Sequence, residues 1–149
     1  MSITKLIRPY FTRRIPEIRN VSAHPEETQR EVLARLLKKG GATLIGEQYG
    51  FASITGYEKY RGTVPAGDYT AVRHLVERMI AGERDILWPG VTRRFAQSSG
   101  TADGKSKYIP VTADSLKYNH YRGGSDVVSH YLNPVSYTHL RAHETGAYL

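Results

Sequence analysis

Ser98-Ser99-Gly100-Thr101-Ala102-Asp103-Gly104-Lys105-Ser106-Lys107-Tyr108-Ile109-Pro110-Val111-Thr112 is the stretch on which the fold turns. Arg93 to Gln97, just before it, reads as a short strand, and Lys107 to Val111 reads as another. Everything between them is small or polar. Small residues let the backbone approach a polyphosphate, successive N–H groups can form an anion-binding concavity, and hydroxyls add donors. Lys105 and Lys107 add positive charge. A plain surface turn has the same composition, so the loop alone leaves both readings open. One rival fails on spacing. Gly100 to Ser106 reads G-x-x-x-G-K-S, one residue short of the Walker pattern, in which the lysine opens a helix. Here Tyr108-Ile109-Pro110-Val111 follows, which favours strand and breaks helix.

Upstream of the loop the pattern is helical. His24-Pro25-Glu26-Glu27 opens a helix, because proline tolerates the first helical position and acids favour the positive helix end. Val32, Leu33, Leu36 and Leu37 follow at helical spacing, and Gly40-Gly41 stops the run. A short segment, Ile45 to Phe51, contains Gly50. Asp68 is placed to cap a second helix whose apolar face is Val72, Leu75, Val76, Met79 and Ile80, ended by Gly82. Leu87-Trp88-Pro89-Gly90 is a turn beside a buried aromatic. Downstream, Ala113 to about Leu132 is again helical, starting near Thr112 or Asp114. Gly123-Gly124 within it costs about 1 kcal/mol per glycine against alanine, which points to close backbone packing or a ligand against the helix.

The chain has 149 residues, 21 Lys+Arg and 14 Asp+Glu, for a net charge of +7. The length suits one domain or a piece of a larger one, and 40% apolar with 23% charged residues describes a globular chain. No run approaches the roughly 20 apolar residues of a membrane span, and Met1 to Arg14 lacks the apolar core of a signal peptide. With no cysteine, disulfides, thiolate metal sites and cysteine nucleophiles are excluded, and a cytoplasmic location is expected. A small basic nucleic-acid-binding protein is one alternative. Arg13-Arg14 and Arg93-Arg94 could neutralise phosphates, but the cations are interleaved with Glu26, Glu27, Glu31, Glu77, Glu83 and Asp85 and form no basic block.

The tail has another origin. Val135 to Thr145 matches, in order, the translation of a transposase adapter used in shotgun sequencing libraries, and Pro134, Tyr148 and Leu149 fit the flanking bases. Residues 134–149 are therefore expected to be adapter and not a domain. The tail holds His139 and His143, spaced four apart as zinc ligands on a helix can be. They lack the glutamate of a metalloprotease motif, and no metal site is assigned.

Strand, Ser/Thr/Gly loop, lysine, strand is the pattern of adenylate-forming enzymes. Ser98-Ser99-Gly100-Thr101 with Lys105-Ser106-Lys107-Tyr108-Ile109-Pro110-Val111-Thr112 resembles the first ATP motif of the Gretchen Hagen (auxin-responsive promoter) family of acyl-acid amido synthetases, in its bacterial form. Tyr49-Gly50-Phe51, Val64-Pro65, Glu77-Arg78-Met79, Leu87-Trp88-Pro89-Gly90 and His120-Tyr121-Arg122-Gly123-Gly124 resemble that family in the same order, as does His24-Pro25-Glu26-Glu27-Thr28-Gln29.

The resemblance implies an α/β fold, with residues 1–133 forming part of an N-terminal adenylation domain, the N-terminal part of an adenylate-forming large domain. A helical flank would precede strand, phosphate loop, strand and helix, with the sheet incomplete. It implies ATP with Mg²⁺, a small carboxylic acid and an amino acid as substrates, an acyl adenylate and then an amide. The fragment alone would be inactive. A ligase passing the acyl group to a thiol such as coenzyme A is an alternative within the superfamily.

By the same resemblance Ser98, Ser99, Gly100, Thr101 and Lys107 fall on phosphate-loop positions, while Ala102 and Asp103 depart from the family's usual hydroxyl and Gly or Asn. Tyr121 and Arg122 are candidates for the acyl pocket, Arg122 as partner of a carboxylate. A surface arginine and a core tyrosine are the plain alternatives. Trp88 is expected to be a core anchor and His120 structural; no residue is assigned as catalytic.

Overall fold

In a computed structural model of the chain, residues 3–98 and 106–133 are described. They form helices α1 (Ile3–Thr12), α2 (Ile15–Ala23), α3 (Pro25–Gly40), α4 (Leu44–Gln48), α5 (Tyr57–Thr63) and α6 (Tyr69–Ile80). Strands β1 (Phe95–Ser98) and β2 (Lys107–Pro110) follow, then α7 (Ala113–Ser115), a π-helical turn (Leu116–Tyr121) and α8 (Arg122–Leu132). The described residues are thus mostly helical with one antiparallel two-stranded sheet, compatible with an incomplete α/β domain. The chain divides into two compact units, one of residues 26–113 and one joining the N-terminal helices to the last helical run.

In the first unit, α6 supplies the core. Asp68 caps it, its carboxylate accepting from the Thr70 amide at 2.9 Å, and Gly82 leaves the helix with a φ of +89°. Leu75 and Met79 pack with Ile86, and Leu44, Ile45, Leu87 and Phe95 close around them. Val76 is buried beside them in the sequence, whereas Ile80, expected on the same face, is 48% exposed. Five apolar residues spread around more of the helix than this unit covers. On α3 the same correction applies: Leu37 is buried, while Val32 and Leu36 are exposed.

The join between α3 and α4 is built on Thr43. Its fully buried hydroxyl donates to the Gly40 carbonyl at 2.6 Å and accepts from the Gly46 amide at 3.1 Å, capping α4. That closure brings the helices so near that a Cβ on Gly46 would stand 2.0 Å from the Gly40 oxygen. The first amides of α4 are satisfied in turn by carbonyls of the 85–86 segment, Leu44 to Asp85 at 2.7 Å and Ile45 to Ile86 at 3.2 Å. Asp85, at a φ of +55°, holds its turn with a carboxylate that accepts from the Gly90 amide at 2.6 Å. Trp88 in that turn is half-buried, not the buried anchor expected, and the Lys39 ammonium lies 5.6 Å from its ring centre. A cation within about 6 Å of the ring centre is attracted by its π face.

The second unit packs α8 against α1 and α2. Ser129, fully buried, sets its hydroxyl within reach of the Phe11 carbonyl at 2.8 Å and of the Ser125 carbonyl at 2.6 Å. Arg14, between α1 and α2, reaches Asp126 on α8 at 2.7 Å and also pairs with Glu17. The helical run expected from Ala113 is present, but the π turn inserts a register shift at Leu116–Tyr121. A Cβ on Gly123 or on Gly124 would meet nothing within 4 Å, so close backbone packing is not what these glycines serve among the described residues.

Candidate functional site

The strands run almost where the sequence places them, and their register defines the site. Ser98 pairs with Lys107, Gln97 with Tyr108, Ala96 with Ile109 and Phe95 with Pro110. The hairpin therefore closes on a serine hydroxyl and a lysine, at the neck of the 99–106 loop. Alternation along an antiparallel pair explains the proline. The Val111 amide donates to the Arg94 carbonyl at 2.8 Å, so Pro110, one step away, occupies a position whose N–H would point outward. Tyr108 is also at such a position, and both of its backbone groups face away from β1. The Tyr69 hydroxyl meets them, accepting from the Tyr108 amide at 3.1 Å and donating to its carbonyl at 3.2 Å.

Charge gathers at the same ring. The Lys107 ammonium lies 5.9 Å from the centre of the Tyr69 ring, and the Arg73 guanidinium carbon 5.8 Å. Asp68, the residue before Tyr69, has its carboxyl held below the ordinary carboxylate value, first by the Thr70 hydroxyl and then by the Thr70 amide, with the Lys107 charge a small contribution. The donors at the neck, a hydroxyl and an ammonium, are of the kinds that bind phosphate oxygens. For Mg²⁺ the described residues offer no cluster of three or more His, Asp or Glu side chains.

Ser99, Gly100 and Thr101 lie outside the described residues, as do Ala102 and Asp103. Tyr121 and Arg122 belong to the other unit. Tyr121 is 62% exposed, so it is not a core residue, and its ring meets that of His120 edge to face at 5.4 Å. Arg122 does pair a carboxylate, but that of Glu17 on α2. Tyr69 is the functional candidate that sequence reading missed. No local pattern links position 69 to position 108; the only trace is the Asp68 cap that fixes where α6 begins.

The class is that of a GH3-type N-terminal domain: residues 14–146 match the model described as the GH3 family N-terminal domain. The chain belongs to the GH3 family. The matched range ends inside the segment read from the sequence as adapter, which lies outside the described residues.

Among the curated relatives, the chain is 29% identical over 92 residues to the "Probable indole-3-acetic acid-amido synthetase GH3.2" of Oryza sativa subsp. japonica, covering 61% of the chain and 15% of that protein. It is 27% identical over 104 residues to the jasmonoyl--L-amino acid synthetase GH3.3 of the same plant, covering 69% and 22%. With the indole-3-acetic acid-amido synthetase GH3.17 of Arabidopsis thaliana it shares 28% over 106 residues, covering 67% and 17%. The chain thus spans between 15% and 22% of the length of these relatives. Among the described residues, no helix is long and apolar enough to cross a membrane.

Proposed function

We propose that this chain is the ATP-loop part of an acyl-acid amido synthetase that joins a small carboxylic acid to an amino acid. The observation that carries the reading is the hairpin neck: Ser98 and Lys107 face each other across β1 and β2 and frame a Ser/Thr/Gly/Lys loop. Family membership and the amido synthetase names of the relatives support it.

ATP is a substrate here. A carboxylate oxygen attacks its α-phosphorus and pyrophosphate leaves; an amino-acid amine then attacks the acyl carbon and AMP leaves. In this reading the Ser98 hydroxyl, with Ser99, Gly100 and Thr101, donates to the β- and γ-phosphate oxygens, and Lys107 neutralises their charge. Holding those phosphates orients the α-phosphorus for attack, which is positioning and electrostatic work. Mg²⁺ would be carried on the phosphates; among the described residues no cluster of three or more His, Asp or Glu side chains is placed to hold it. In this proposal the 149-residue chain, which spans only 15% to 22% of the length of these relatives, is inactive alone.

The test is acid-dependent exchange of pyrophosphate into ATP by the product of the gene, resequenced across codons 120 to 149 with adapter-free long reads and expressed as its complete reading frame. Exchange that requires an added carboxylic acid, and falls about 100-fold in Lys107→Ala, is expected. No exchange with any acid, together with steeply salt-dependent nucleic-acid binding, would replace this reading with that of a basic binding protein.

A further inference from the structure

We infer that Tyr69 is a positioning residue for Lys107: its hydroxyl pins the outer edge of β2, and its ring sets the place of the Lys107 side chain. A two-stranded hairpin is marginal by itself in water. The register leaves the Tyr108 amide and carbonyl on the edge away from β1, and a single phenolic oxygen takes both, at 3.1 and 3.2 Å. Tyr69 is the first residue of α6, whose Leu75, Val76 and Met79 are buried. The hairpin is thereby tied to the helix that supplies the core of its unit. Lys107 is the residue before Tyr108, and its ammonium rests 5.9 Å from the centre of the same ring. One side chain thus fixes both the strand that carries the lysine and the lysine's cation. The consequence for nucleotide binding rests on the function proposed above; the clamp does not.

The experiment uses the full chain, labelled for NMR. In the wild type, the Tyr108 amide, which β1 does not bond, should exchange with solvent at least 10-fold more slowly than an open-chain amide. Unprotected exchange there overturns the clamp without any variant being made. Tyr69→Phe keeps the ring and removes the hydroxyl, and should return the Tyr108 amide to open-chain exchange while the Lys107 ε-protons keep their ring-current shift. Tyr69→Leu should lose that shift as well. An unchanged Tyr108 rate in Tyr69→Phe, or an unchanged Lys107 shift in Tyr69→Leu, overturns the assignment. Titration with ATP of the complete reading-frame product, expressed as in the test of the proposed function, separates the two readings. An affinity about 5-fold weaker in Tyr69→Phe supports the positioning role, and equal affinity overturns it. A wild type that protects Tyr108 but binds no ATP overturns the nucleotide role and leaves the clamp to be judged on exchange.

Discussion

Arg14 and Asp126, 112 positions apart in the sequence, meet with 2.7 Å between Nε and Oδ1. The pair joins the start of α2 to the middle of α8, and Glu17, which Arg14 and Arg122 both contact, extends it into a four-residue network. Arg122 is therefore engaged by its own chain, which bears on any assignment of this residue to a substrate.

The arginine side chain in this pair is only 20% exposed and the aspartate 31%, so solvent screens them less than a surface pair. Arg14→Ala takes this partner from the Asp126 carboxylate, while Glu17 keeps Arg122, and should cost about 1–2 kcal/mol. A lower urea midpoint at an unchanged m value is the expected result; no shift would show the network to be energetically silent.

Gly46 and the Gly123-Gly124 pair should respond in opposite directions to alanine. At Gly46 the new Cβ would collide with the Gly40 carbonyl, at 2.0 Å, and approach its carbon at 2.9 Å. Backbone must move, and a loss above about 2 kcal/mol is expected. At Gly123 and Gly124 the added methyl meets open space, and each substitution should stabilise α8 by about 0.5–1 kcal/mol. Thermal melts of the three variants decide the matter.

Met79 is 2% exposed at the centre of the α6 core. Met79→Ala removes buried methylenes and leaves a cavity, for a loss of about 2–5 kcal/mol. Ile80→Ala, its half-exposed neighbour, should cost well under half as much in the same urea titration.

Stability should fall on acidification as Asp68 titrates. Its folded carboxyl is held below the ordinary value, chiefly by the Thr70 hydroxyl. A lowered folded value means that the cap contributes fully above an unfolded pKa of about 4 and is lost as pH drops through the folded one. Asp68→Asn keeps an acceptor for the Thr70 amide but does not titrate, so its melting temperature should vary less than wild type between about pH 5 and pH 2. Equal acid sensitivity in the two proteins would assign the loss to other carboxylates.

Much of the local structure was legible from residues alone. His24-Pro25-Glu26-Glu27 and Gly40-Gly41 bracket α3, Asp68 and Gly82 bracket α6, and the strands lie within two residues of the expected bounds. These features are local because caps, breakers and strand formers act over a few bonds. Helices α1, α2 and α5 went unread, as did the π turn. α1 carries a proline, Pro9, inside it, and is held partly by α8 through the Ser129 contact to Phe11, which no window of sequence contains.

The sequence by itself determined that a Ser/Gly/Thr loop with lysine at its exit would stand between two short strands, and its ordered motifs carried the family. Turn chemistry and strand propensity are properties of neighbouring residues, so both survive without knowledge of the rest. Only the tertiary structure decided which apolar residues are covered, that Arg122 takes Glu17, and that Tyr69 closes the free edge of β2. Burial and partner choice depend on which distant segment arrives at a given face. A phenol 39 positions away becomes the hydrogen-bond partner of Tyr108 because the chain folds α6 against the outward-facing edge of the strand.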